Sequence, residues 1–177
     1  MQSHVAMTLK EIILVLSLGL FATSNAWSQR TISVEDPDIT FGYSLPEGFA
    51  NDDDSFYHYV YPDIQNGKET IALRLTYFEG FDGDLSAFNE GILMGKLYST
   101  LDDFKIKESG EDIVDGTLAK WSTYSYSESG VEKCGSLYSL IQFRQYFEIH
   151  LQGDCKAYAK YEEDLKSVIN SLEITRK

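Results

Sequence analysis

The sequence predicts an α+β domain: a central antiparallel sheet of about six to seven strands with helices packed on it, in the order β-β-β-α-β-β-β-β-α. Three observations carry this. Turn signals punctuate the second half of the chain at Asp115-Gly116 and Ser129-Gly130, the segments between them alternate apolar and polar residues with period two, and two segments instead show helical spacing. Runs of strands interrupted and closed by helices favour an antiparallel sheet covered by helices over alternating βαβ units.

The start of the chain is expected to lie outside the fold. Lys10 precedes an apolar run over residues 12–22, and Ser24-Asn25-Ala26 offers the small residues a signal peptidase reads, so residues 1–26 are expected to be a cleaved signal peptide, with Met7 an alternative start. The run is shorter than the roughly 20 residues that span a bilayer, so no transmembrane anchor is expected after cleavage. No cysteine follows the run, which excludes a bacterial lipoprotein anchor. A periplasmic or secreted location follows. Residues 27–38 read as a loose lead-in and 39–177 as one globular domain.

Ile39, Phe41, Tyr43 and Leu45 alternate with polar or small residues, which is a half-buried strand ended by Pro46-Glu47-Gly48. Residues 51–54, Asn-Asp-Asp-Asp, read as a charged loop and 56–61 as a short strand stopped by Pro62. Asn66-Gly67 is a turn signal before a strand with Ile71, Leu73, Leu75 and Tyr77 on one face. Asp84 is a good N-cap for a helix over about 85–101, where Leu85, Phe88, Ile92, Leu93, Leu97 and Leu101 keep helical spacing. Gly91 and Gly95 cost helix propensity, and close approach to the sheet is the expected reason for them. Residues 104–114 form a strand interrupted at Ser109-Gly110. Beyond 155, Tyr158, Tyr161, Leu165, Val168, Ile169 and Leu172 give an amphipathic closing helix.

Between these lies a meander of strands over 117–128, 131–143 and 146–153. Pairing Glu128 with Val131 sets Ala119 against Leu140 and Trp121 against Tyr138. If Arg144-Gln145 form the next turn, Phe143 faces Tyr146 and Cys134 lies directly opposite Cys155. One face then collects Ala119, Trp121, Tyr138, Leu140, Phe147, Ile149 and Leu151. Two cysteines in an exported chain read as a disulfide, and opposite strand positions suit its geometry. A redox pair is the alternative, without a C-x-x-C motif to support it.

A formal net charge of −13 argues against nucleic acid and anionic membrane surfaces, which require basic patches. Acidity for solubility alone is the simpler explanation. No cofactor is implied and no catalytic signature is present; His58 and His150 read as isolated structural strand residues. Asp52, Asp53 and Asp54, and Asp82 with Glu79, Asp84 and Glu90 nearby, supply oxygen ligands without EF-hand spacing, so they are weak calcium candidates beside the reading as solvated loops. Tyr57, Tyr59, Tyr61, Tyr124 and Tyr126 fall on alternate strand positions. Such rows either cover the wet side of a sheet or offer a platform for a protein or a sugar ring.

The run from Phe41 through Gly42-Tyr43-Ser44-Leu45-Pro46-Glu47-Gly48 to Phe49, the helix beginning at Leu85, the Asp115-Gly116 hairpin leading to Ala119 and Tyr124, and the closing Val168-Ile169-Asn170-Ser171-Leu172 resemble the PsbP-like fold family. That fold is shared by the extrinsic PsbP subunit of photosystem II, a Ran-binding import regulator and exported bacterial proteins of unknown role. The resemblance spans 39–174, with Phe49 where bacterial members often carry Trp. It implies an α/β/α sandwich and a non-enzymatic accessory or binding role, and it transfers no binding residue. The expected function is an exported binding domain contacting a protein or envelope component. The alternatives are a small-molecule or glycan binder using the tyrosines, and a hydrolase with an unrecognised site around His58 and Asp52–Asp54.

Overall fold

The computed structural model describes residues 30–35, 37–53, 57–63, 71–79 and 83–177. Strands β1 (Arg30–Glu35) and β2 (Ile39–Leu45) pair with the last strand, β10 (Glu173–Arg176), in a three-stranded antiparallel sheet of order β1-β2-β10. A seven-stranded antiparallel sheet has the order β3-β4-β5-β9-β8-β7-β6, from β3 (Phe49–Asp53), β4 (His58–Pro62), β5 (Ile71–Glu79), β6 (Asp102–Val114), β7 (Thr117–Glu128), β8 (Val131–Gln142) and β9 (Gln145–Asp154). Helix α1 follows β5. It is α-helical over Leu85–Glu90, π-helical over Gly91–Leu97 and α-helical again over Tyr98–Thr100; helix α2 (Cys155–Asn170) follows β9.

Period-two alternation gives the large sheet two unlike faces. The inner face buries Leu73, Leu75, Leu140, Phe147, Ile149 and Leu151 against Ile39, Phe41 and Tyr43 of β2 and against Leu165, Val168 and Ile169 of α2. Helix α1 lies on the outer face, where Phe88, Ile92, Leu93 and Leu97 pack on Phe104, Tyr124, Tyr126, Leu137 and Tyr146. Asp84 caps α1, its carboxylate accepting from the Ala87 amide at 2.8 Å, and the Tyr146 hydroxyl donates to the Gly83 carbonyl at 2.8 Å. The expected antiparallel sheet with helices on it is therefore what the chain forms, with the small sheet as an extra layer element.

Several local expectations are corrected. Residues 30–35 are no loose lead-in, because they pair along the whole of β2. Asn51 and Asp52 belong to strand β3, not a loop; pairing with β4 satisfies their backbone groups at the sheet edge, where polar side chains are affordable. Strand β6 runs unbroken through Ser109-Gly110. Gly110 is required there because the Trp121 ring lies across it, and a Cβ would stand 2.7 Å from Trp121 Cζ2. Gly91 and Gly95 do not approach the sheet: a Cβ on either meets nothing within 4 Å, as both lie on the open side of α1.

The register of β7 with β8 is as expected, with Ala119 opposite Leu140 and Trp121 opposite Tyr138. That of β8 with β9 is displaced by two residues. The turn is Phe143-Arg144, so Gln142 faces Gln145, and Cys134 faces Gly153 instead of Cys155. Gln145 is held in the ladder because it pairs with Glu79 of β5 and its side-chain amide donates to the Glu79 carboxylate at 2.9 Å. A shift of two leaves every side chain on its expected face. Cys155 becomes the first residue of α2, still near enough for the Cys134–Cys155 disulfide, with Cα atoms 4.7 Å apart. The bridge therefore ties the start of α2 to strand β8.

Candidate binding face

Helix α1 covers only part of the outer face, from β6 to β9. Among the described residues, α1 reaches β5 only at its end, where Phe78 packs edge-on to Phe88 at 5.6 Å, and no helix lies on the rest of β3, β4 and β5; the boundary between the two halves is polar. Across it, antiparallel register aligns Asp52, Tyr59, Arg74 and His150 in one row on neighbouring strands, while Thr76 lies opposite Glu148. These are alternate positions on each strand, so all face outward.

Glu148 and His150 are buried, 4% and 1% exposed, and neither reaches the apolar inner core. The Glu148 carboxylate takes a hydrogen bond from Lys96 of α1 at 2.7 Å, contacts His150 Nε2 at 2.5 Å, and has the Arg74 guanidinium at 3.7 Å. On the other side of the imidazole, Nδ1 is 3.3 Å from the Tyr124 hydroxyl, which accepts from the Gln152 amide at 2.8 Å. Burial drives the His150 pKa down, against the opposing pull of Glu148, and Arg74 and Lys96 add to the lowering. The imidazole is then neutral. Its Nε2–H donates to Glu148, and its Nδ1 accepts from Tyr124. Burial also raises the Glu148 carboxyl, but the hydrogen bonds from His150 and Lys96, with the Lys96 charge, outweigh that and hold it at about 2. An ionised carboxylate thus sits under the sheet's outer face, and it fixes two cations above it.

The connectivity Tyr124–His150–Glu148 has the form of a nucleophile, base and orienting carboxylate. It lacks the chemistry, because burial pushes the Tyr124 phenol further up from its ordinary value and its ring is 2% exposed. The network is a buttress. Gly135 is part of it: a Cβ there would stand 2.5 Å from Tyr124 Cζ, so only glycine lets the ring lie against β8.

The solvent edge of the buttress is Arg74. Its guanidinium stands over the Tyr57 ring at 5.4 Å, and Tyr57 and Tyr59 lie 6.1 Å apart at a 46° tilt. Tyr57 and Tyr61 are exposed, whereas Tyr124 and Tyr126 are sealed beneath α1, so the five tyrosines divide into an open row and a buried pair on the same face. Arg74 Nε and Thr76 Oγ1 are buried without a hydrogen-bond partner. Each such orphan costs about 1–3 kcal/mol, and both border the open half.

His58 faces the other way. It packs edge-on to Phe41 and stacks with Tyr77 in the inner core, while Asp52 shares the outer face with Tyr59. The structure places His58 and Asp52 on opposite faces of the sheet, whereas Asp53 is the residue directly opposite His58 in the β3–β4 ladder. Asp54 and Asp82 lie outside the described residues. Among the described residues no three His, Cys, Asp or Glu side chains gather as metal ligands, and Asp84 serves as the helix cap.

Sequence reasoning missed Arg74, Lys96, Glu148 and His150 as a cluster. The available signal was the run Tyr146, Glu148, His150, Gln152 on alternate positions of a strand whose other positions are Phe147, Ile149 and Leu151. Polar residues that regular, between two strands of one sheet, must meet polar partners on their own face.

No family model matches the chain, and no curated protein matches it by sequence. Solved structures do. LpqN of Mycobacterium tuberculosis, described as involved in cell envelope biogenesis, is 14% identical with a TM-score of 0.64, covering 84% of this chain and 92% of its own. The cyanobacterial PsbP of Synechocystis is 9% identical with a TM-score of 0.58, over 87% and 98% of the two chains. The Ran-binding protein Mog1p of Saccharomyces cerevisiae is 12% identical with a TM-score of 0.54, over 82% and 96%. At these identities the likeness is one of fold: the chain has the PsbP-like fold.

Proposed function

We propose that this is an exported, non-catalytic binding domain whose contact surface is the open half of the outer face, and that its partner is a protein or envelope component presenting anionic oxygen. The observation that carries the reading is the row Tyr57, Tyr59 and Tyr61, exposed at its two ends and half-buried at Tyr59, beside Arg74, whose Nε is a buried donor without a hydrogen-bond partner. Exposed tyrosines and a partly buried arginine are the residue types that dominate binding energy at interfaces. A carboxylate docking there would pair with the accessible part of the Arg74 guanidinium, whose side chain is 28% exposed. Arg74 and Lys96 both face the charge of Glu148, and Asp52 stands two strands from Arg74 in the same row.

The disulfide, and the involvement of LpqN in cell envelope biogenesis, support an extracytoplasmic setting. The fold's hosting of a Ran-binding protein supports a binding role only by analogy. A photo-cross-linking residue at position 59, introduced in the native host, tests the reading against the exposed cross-strand pair Ile113 and Leu118 at the far edge. One discrete adduct from position 59 and none from 113 is expected. A saccharide adduct would favour the glycan alternative, and an adduct from 113 alone would overturn the placement.

A further inference from the structure

A cavity of about 490 Å³ opens at the opposite end of the β5–β9 ladder, where the two sheets meet. It is separate from the tyrosine face and is floored by Ile39, with Asp38, Glu79, Phe143, Arg144, Arg176 and Lys177 around it. The β8–β9 hairpin tip enters it, and that tip is unusual. Three hairpins in this meander turn with both central residues at positive φ. Two use the residues such turns favour, Asp115-Gly116 at 48° and 70° and Ser129-Gly130 at 53° and 78°. The third places Phe143 and Arg144 at 52° and 66°. Neither residue relieves the left-handed strain, and Phe143 leaves its ring exposed. Backbone strain retained in this way marks residues kept for what their side chains do.

The charges of the cavity are unevenly satisfied. Glu79 accepts from Gln145, Lys177 pairs with Glu35 at 2.5 Å, and the Lys177 amide donates to the Asp38 carbonyl at 3.1 Å. Among the described residues, the guanidinium groups of Arg144 and Arg176 have neither an ion pair nor a hydrogen bond, and both are exposed to the cavity mouth. Two unengaged guanidinium forks beside an exposed aromatic ring suit a planar oxyanion with an organic remainder.

We propose that this cavity binds a small organic oxyanion, its carboxylate or phosphate held between Arg144 and Arg176 and its apolar part laid on Phe143. Benzoate and phenyl phosphate serve as probes of the two anion types, titrated into the full folded chain while the arginine side-chain N–H resonances are followed. Saturable shifts at Arg144 and Arg176 are expected, and whichever probe binds more tightly names the anion. Arg144→Ala and Arg176→Ala should each weaken that binding about tenfold or more, as loss of a charge-assisted contact implies. The double variant Phe143→Asn/Arg144→Gly should abolish binding while raising Tm, since it restores the favoured turn. Absence of saturable binding for both probes, binding that survives both arginine substitutions, or a double variant with no rise in Tm overturns the proposal.

Discussion

Replacing Glu148 with Gln removes the charge at the centre of the buried network and leaves its shape. The folded protein holds this carboxyl at about 2 against an ordinary value of 4.5. Proton linkage converts that difference, at about 1.4 kcal/mol per pH unit, into about 3 kcal/mol of folding stability. A depressed carboxyl contributes this fully above pH 4.5 and loses it as pH falls towards 2. Glu148 is 4% exposed, so solvent screening removes little of the effect. Urea unfolding at a series of pH values reads it directly: the stability gap between the wild type and Glu148→Gln should narrow by about 3 kcal/mol across that window. Parallel pH profiles for the two proteins would refute an ionised, cation-held Glu148.

Four further outcomes follow from the same geometry. His150 has a lowered pKa, so the unfolded chain takes up a proton below about 6.5 that the folded chain refuses; stability should fall with pH below that value, and His150→Gln should lose this slope, as unfolding curves measured above about pH 4.5 will show. Gly135→Ala should destabilise by about 2 kcal/mol or more, because Tyr124 is pinned by His150 and Gln152 and cannot yield to the new methyl group. Gly91→Ala and Gly95→Ala should instead stabilise by about 0.5–1 kcal/mol each, since both point into open space on a helix; thermal melts separate the two classes, and a destabilised Gly91→Ala would mean α1 packs differently. Reduction of Cys134–Cys155, which spans 21 residues, should cost about 3 kcal/mol in the chain-entropy treatment, measured as a lower urea midpoint in the presence of a reductant.

The parts of the fold legible in the sequence were those with strong local chemistry. Ser129-Gly130 set the β7–β8 register residue for residue because glycine at positive φ leaves few alternatives. Phe143-Arg144 carries no turn signal, so the β8–β9 register came out two residues away, and it was Glu79 on β5, 66 residues distant, that fixed Gln145 in the ladder. Strand β3 reads as a loop because Asn51 and Asp52 have poor strand propensity, which edge pairing with β4 overrides. The π-helical turn over Gly91–Leu97 has no sequence marker beyond its two glycines.

For the candidate site, the tyrosines were visible as a row, but not their division, which depends on how far α1 reaches across the sheet. The cluster under them joins β5, α1, β7 and β9, and no local pattern reports a contact among four elements. Tyr57, Tyr59 and Tyr61 were found from spacing, whereas Arg74 gained its meaning only from the cross-strand partner His150 and from Glu148 below it.

The most direct measurement is the affinity of the cross-linked partner, once captured through position 59, for purified variants of the face. Arg74→Glu should weaken binding about tenfold or more, and Ile113→Glu should leave it unchanged, with both variants melting cooperatively as the wild type does. Unaltered affinity for Arg74→Glu together with a loss for Ile113→Glu would place the contact surface on the far edge of the sheet and contradict the open tyrosine face as the binding site.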